Sequence, residues 1–332
     1  MSNAFRASVL LSASLMALPA AAGPAPKVEE VKAKQVVLIS FDGAHDVRQW
    51  QRSRNLAART GARFTYFLSC VFLLSRETKG EYHAPGRSAG RSNVGFAQSR
   101  QEVVDRLAQI NLAAAEGHEI ASHACGHFDG GAWSKADWGK EFDAFSSIAR
   151  DAYRINGITP EPAGWARLVA SIKGFRAPYL SQSNALNAAL EERGFAYSAS
   201  SVSRGPEAPK PDQGLTDFAL PLIPEGPAGK RVIAMDYNLY VRHSGGTEKL
   251  DEAAQFETRT LDAFRAAFDK QYGGARIPLQ IGFHFTLMNG GAYWRALERF
   301  AGEVCVKADV ECISYADYMK RNDVAGPLQV DG

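Results

Sequence analysis

Three shortages narrow the reading of this chain. An excess of charge of one sign is missing. The 38 basic residues stand against 36 acidic ones, a formal charge of +2 over 332 residues, so a nucleic acid or other polyanion finds no handle. Long apolar runs are missing after the N-terminus, and nothing there approaches the roughly twenty residues that a bilayer span requires. Stable membrane insertion is therefore not expected. Cysteine is scarce at four residues, an even number with no necessary orphan. Neither an internal repeat nor a domain boundary is visible. With 45% hydrophobic and 22% charged residues the composition is that of an ordinary globular chain. An α/β barrel of about 250 residues with insertions accommodates it as a single domain.

What is present begins with an address. Arg6, the apolar stretch Val9 to Leu18 and the small residues Ala20-Ala21-Ala22 before Gly23-Pro24 read as a secretory signal peptide cut near Ala22. The expected divisions are a signal peptide over 1–22, a lead-in over 23–34 and one domain over 35–325, with the mature protein secreted or periplasmic. An uncleaved N-terminal anchor is the other reading. In an oxidising setting cysteines pair. Cys305 and Cys312 are close in sequence and flank a turn, which leaves Cys70 for Cys125. The alternative is a free Cys125 thiol acting as a soft ligand.

Hydrophobic periodicity alternates between strand and helix. Gln35 to Phe41 is a continuous apolar run of β-branched character (Val36, Val37, Ile39), the mark of a central parallel strand buried on both faces. Val47 to Thr60 reads as a helix stopped by Gly61, and Arg63 to Leu68 as the next strand. Ser75 to Gln98 is a long loop in which Tyr82, Arg87 and Arg91 are candidates to touch a polar polymer, against a merely solvated excursion. A helix over Ser99 to Glu116, a strand ending at Ser122, a loop over Phe128 to Trp138 and a helix near Lys140 to Tyr153 follow. Then come a strand over Ser171 to Phe175, a helix over Asn184 to Arg193 and strands at Tyr197 to Ala199 and Val232 to Met235. Between those strands, Pro206 to Gly229 is rich in Pro and Gly and reads as surface chain. Glu252 to Tyr272, Pro278 to Phe283 and Ala292 to Ala301 read as helix, strand and helix.

Chemistry concentrates in Glu119-Ile-Ala-Ser-His-Ala-Cys-Gly-His127. In one helical turn, side chains four apart share a face, so His123 and His127 would offer two nitrogens to a divalent ion, zinc by donor type. Asp42 adds a carboxylate that suits either a ligand or a base, and His284 a candidate acid. Arg176 would keep a carboxylate ionised and oriented. Asp42, His123, Arg176, Asp236 and His284 all fall at the C-terminal ends of different strands, where an α/β barrel assembles its site.

Together, and in this order, Ser40-Phe-Asp42, Ser122-His-Ala-Cys-Gly-His127, Arg176-Ala-Pro-Tyr179 and the strand bearing His284 resemble the motifs of the polysaccharide deacetylase family, also called carbohydrate esterase family 4. The likeness runs from about Gln35 to Met319 and is nearest the chitin-deacetylase-like branch, through Ser-Phe-Asp-Gly-Ala, Gly117-His-Glu-Ile120 and Met235-Asp-Tyr-Asn238. It implies a distorted (β/α) barrel and metal-dependent removal of acetyl groups from N-acetylglucosamine units of a chitin-like or peptidoglycan-like glycan. By the same resemblance His123 and His127 bind the metal, with Asp42 as base or drawn onto the metal. Arg176 orients the carboxylate, Tyr179 offers an oxyanion N–H, and His284 is the acid. Asp236 falls where a fourth motif is expected and would orient His284 or Arg176. One departure stands out, because the family's first motif ends in a second, metal-binding aspartate and here that position is Gly43. Asp46 is a candidate replacement. The alternative functions are a carbohydrate-binding relative without turnover and a deacetylase of a different small amide or ester.

Overall fold

The computed structural model describes residue 1, residues 33–212 and residues 214–325. The expected signal peptide and most of the lead-in lie outside the described residues. The β-branched run that opens the domain becomes β1 (Gln35–Gly43), buried along nearly its whole length. Strands and helices then alternate: α1 (Val47–Thr60), β2 (Thr65–Leu68), α2 (Arg100–Ala115), β3 (Glu119–Ser122), α3 (Lys135–Arg150), α4 (Ala152–Ile155), α5 (Trp165–Ala170), β4 (Gly174–Phe175), α6 (Asn184–Glu192) and β5 (Tyr197–Ser203). The second half adds β6 (Lys210–Asp212), β7 (Leu215–Glu225), β8 (Lys230–Ile233), α7 (Asp236–Ser244), α8 (Ala253–Tyr272), β9 (Leu279–His284), α9 (Met288–Val304), β10 (Val310–Ile313) and α10 (Tyr315–Ala325).

A strand apolar on both faces needs neighbours on both edges, and β1 has them, all parallel. One edge takes β9, with Val37 beside Leu279 through Asp42 beside His284. The other takes β10 at Gln35 to Leu38 and β2 at Ser40 to Gly43. From β2 the parallel order continues through β3, β4, β5 and β7, and β6 and β8 pair antiparallel with β7. In-register residues of adjacent strands face the same side about 4.8 Å apart, so this register alone sets the Asp42 carboxylate beside the His284 imidazole.

The result is the expected single-domain α/β architecture, a distorted barrel whose sheet is not closed by a continuous ladder. Between β7 and β9 the seam is one stretch of chain. Ala234 donates its N–H to the Pro221 carbonyl (2.9 Å), and Gly282 donates its own to the Ala234 carbonyl (2.9 Å). A Cβ on Gly282 would lie 2.6 Å from Cε of Met235, so the flexible end of that methionine packs directly over the glycine.

Some elements differ from the sequence reading. The chain between Pro206 and Gly229 does not simply wind over the surface, since it contains β7, with Phe218, Ala219, Leu220 and Ile223 in the core. Its prolines and glycines masked an apolar strand. Helix α3 begins five residues before Lys140, because Ser134 and Asp137 close a capping box around its first turn. The periodicity reading contains no counterpart of α5, α7, β10 or α10. Helix α1, by contrast, has the expected limits: Gly61 ends it at φ 71° and returns its N–H to the Ala57 carbonyl.

Gly174 carries a prediction. A Cβ there would enter the Tyr197 ring, which cannot yield because its hydroxyl donates to Glu119 (2.8 Å) and its face stacks on Tyr315. Gly174→Ala is expected to cost about 1–3 kcal/mol of stability as overpacking, measured by urea denaturation. An unchanged midpoint would show that the ring moves freely.

Candidate active site

The histidine segment is not a turn of helix. His123 follows β3 directly and donates its backbone N–H to Leu68 (2.8 Å), after which Ala124 (φ 56°) and His127 (φ 55°) are left-handed. Non-glycine residues resist that conformation by about 1–2 kcal/mol each, so the loop must be held from outside. Cys125 is disulfide-bonded to Cys70 (Cα–Cα 4.4 Å), Cys305 pairs with Cys312 (5.4 Å), and among the described residues no cysteine is free. Cys70 N–H donates to the Ala124 carbonyl (3.1 Å) and Asn93 N–H to the Gly126 carbonyl (2.8 Å). The Asn93 amide also donates to the His127 carbonyl (3.1 Å). The two imidazoles still meet, with ring centroids 5.1 Å apart. They are brought together by a clamped loop rather than by helical spacing.

Arg176 follows β4 with no exposed side-chain surface, and every arm of its guanidinium is used. It donates to Asp42 Oδ1 (2.8 Å), Ser40 Oγ (2.7 Å), the Ala199 carbonyl (2.8 Å) and the Tyr315 hydroxyl (2.9 Å). Its face lies 4.4 Å from the Phe67 ring centroid. Burial alone would raise the Asp42 pKa, but Arg176, with His123 and His284, holds it below the usual carboxylate range. The Arg176 carbonyl accepts from Nδ1 of His123 (2.8 Å), which leaves Nε2 of that ring with its lone pair. Burial pushes His123 down to about 3, against the pull of Asp42. His127 is lowered too, by burial and then by the His284 charge.

Asp236 starts α7 and is fully buried. Its carboxylate accepts from both Nδ1 (2.7 Å) and the backbone N–H (2.8 Å) of His284. Burial would lower the His284 pKa, yet Asp236, through its charge and its hydrogen bond, raises it above the ordinary histidine value. One ring is thus set neutral and its neighbour biased to carry a proton. Asp42, Gly43, His45, His127 and His284 line one cleft of about 200 Å³.

The donors for a metal ion number two rather than three. Among the described residues no group of three or more His, Cys, Asp or Glu side chains is gathered closely enough to hold an ion. Asp42 is engaged by Arg176, and Gly43 has no side chain to offer. Asp46 is committed elsewhere, since it caps α1 by accepting from the N–H groups of Arg48 (2.8 Å) and Gln49 (3.1 Å). That cap is why it does not replace the missing carboxylate.

No protein-family model and no curated protein matches this chain. Among solved structures, a protein from Mycobacterium smegmatis, provisionally called a polysaccharide deacetylase, aligns at a TM-score of 0.53 and 17% identity, covering 91% of this chain and 95% of its own. A second, from Pseudomonas aeruginosa PAO1 and similarly named, gives 0.53 and 15% over 89% and 93%. This chain has their fold. At such identity the likeness extends to the fold and no further.

The other expected site residues are distributed unevenly. Tyr179, left-handed at φ 59° and 60% exposed, lies with its ring 4.9 Å from that of His127. Tyr82 is not a substrate contact. It is buried, with its hydroxyl donating to Glu141 (2.9 Å) and accepting from Gly126 N–H (3.0 Å), so part of the long loop supports the histidine loop instead. Arg87 is exposed over the Phe128 ring, and Arg91 is exposed. Sequence reasoning missed His45, visible three residues after Asp42, and Arg106, whose buried guanidinium donates to the His45 and Phe72 carbonyls. It also missed Glu141, which no spacing marks. No helix of the described residues is long and apolar enough to cross a membrane.

Proposed function

We propose that this protein is a secreted hydrolase that removes acetyl groups from N-acetylated glycans. The observation that carries the reading is the pairing of Asp42 with Arg176 and of His284 with Asp236 across one cleft. Asp42, kept ionised, accepts a proton from the attacking water. His284, kept protonated, gives one to the leaving amine through Nε2, and the Tyr179 N–H meets the developing oxyanion. His123 and His127 would offer two donors to a divalent ion, zinc by donor type. When bound, such an ion would polarise the acyl oxygen and acidify water, and the proton transfers assigned above belong to Asp42 and His284 alone. The chitin-deacetylase-like motifs support a chitin-like or peptidoglycan-like substrate. The test is acetate release from N-acetylglucosamine oligomers across added metals. Folded protein that releases none at any loading would sink the reading.

The unfilled third ligand favours a second reading, a glycan-binding relative without turnover. Gly43→Asp separates the two. Gly43 sits at φ 79°, where a Cβ would meet only Phe72 Cε2 at 3.7 Å, so aspartate fits at a backbone cost of about 1–2 kcal/mol. Its carboxylate is expected to raise zinc affinity at least about tenfold, read by calorimetric titration. Acetate release that appears only in the variant would support the second reading.

A further inference from the structure

We propose that Glu141 is a positioning residue for the reaction, holding the His123–His127 loop so that the His127 ring faces the cleft. The proposal rests on the hydrolytic reading above. Glu141 lies on the buried side of α3 with no exposed surface. Among the described residues no Lys, Arg or His pairs with it. A buried carboxylate without a cation is costly unless hydrogen bonds replace its water. Three donors do so: Tyr82 O–H (2.9 Å), Cys125 N–H (2.8 Å) and Gly126 N–H (3.3 Å). Both N–H groups belong to the loop between the two histidines.

The disulfide tethers the Cys125 side chain but leaves the peptide planes on either side of it free to turn. Glu141 fixes those planes, and the left-handed turn at His127 follows immediately. Packing reinforces this orientation, since a Cβ on Gly126 would lie 2.6 Å from Cε1 of Tyr82 and 2.7 Å from the Phe128 ring. Both loop N–H groups meet the same oxygen, Oε1, and the Tyr82 O–H reaches either oxygen, so a glutamine with its amide oxygen in that place can keep these bonds. A leucine at 141 has similar volume but offers no acceptor, and the Cys125 N–H then loses its partner. The loop then relaxes at the peptide that aims His127.

The test is Glu141→Leu in the full chain, read by the imidazole NMR signals without substrate or metal, and by kinetics. The His127 signals are expected to shift or broaden while those of His118 and His243, which lie on other elements, stay in place. On the same sample kcat should fall about 10²-fold, the scale of a small misplacement of a reacting group, with KM little changed. A folded variant with unmoved His127 signals and native kcat overturns the proposal, whatever its melting temperature. If Glu141→Leu does not fold, Tyr82→Phe decides. It removes one donor and one acceptor from the same knot, and should move His127 in the same direction by less; an unmoved His127 there overturns the proposal as well. Should no form of the protein hydrolyse glycans, the hydrolytic reading fails, while the His127 signals still report whether Glu141 sets the loop.

Discussion

Arg176→Met is expected to lower folding stability by about 3–5 kcal/mol, the range for breaking a buried ion pair from one side. Methionine fills much of the volume of the arginine stem, so shape is a minor cause. The main one is that Asp42 stays behind, 3% exposed, with its cation removed, while the Ala199 carbonyl and the Ser40 and Tyr315 hydroxyls lose a donor. The loss should depend on pH with a defined sign. In the native protein the Asp42 pKa is depressed, so its contribution is present above the unfolded carboxylate value and is lost only as pH falls through the lower folded value. Without Arg176, burial dominates and the folded pKa rises above the unfolded one. The variant therefore gains stability relative to the native protein as pH falls through that raised value. Urea denaturation at pH 7.5 and at mildly acid pH checks this, and a gap of equal size at both would contradict it. Adding Asp42→Asn to Arg176→Met removes the stranded charge and should recover part of the loss; strict additivity of the two substitutions would be the opposite result.

That pair also shows how far the sequence could be read. The β-branched run at Val36 to Ile39 announced a strand buried on both faces, and a carboxylate at its end announced a site, because both signals are local. The partner of Asp42 was legible only through the order of motifs, since Arg176 lies 134 residues away and is brought back by register. The histidine loop was half legible. Two imidazoles four apart suggested a shared face, yet the shared face arises from left-handed turns held by Glu141, Asn93 and Cys70, and no spacing in the chain encodes those long-range bonds. Asp46 misled for a related reason. An aspartate ahead of a helix serves either as a ligand or as a cap, and the N–H groups of Arg48 and Gln49 engage it as a cap. Strand β7 escaped because turn-forming residues at Pro221 and Pro224 sit inside it, next to the seam where regular pairing stops.

His284→Gln should have the largest effect on turnover. The ring receives its orientation from a carboxylate that holds both its Nδ1 and its own backbone N–H, so Nε2 is aimed before substrate arrives. Asp236 also raises its pKa, which keeps the proton available for a leaving amine, a poor leaving group unless protonated. Glutamine retains a hydrogen-bonding end but has no proton to transfer, and kcat/KM is expected to fall about 10²–10⁴-fold. The pH profile identifies the cause. With native protein, activity should decline on the alkaline side as pH rises through a value above the ordinary histidine range, because the acid form is lost there. On the acid side it should decline as pH falls through the depressed Asp42 value. In His284→Gln the alkaline limb should vanish while the acid limb stays, and binding of N-acetylglucosamine oligomers should persist. Asp236→Asn, which keeps the imidazole but withdraws the charge that raises its pKa, should instead move the alkaline limb downward. If both variants keep the native alkaline limb, the proton comes from another group, and the role given to His284 fails even if the protein hydrolyses glycans.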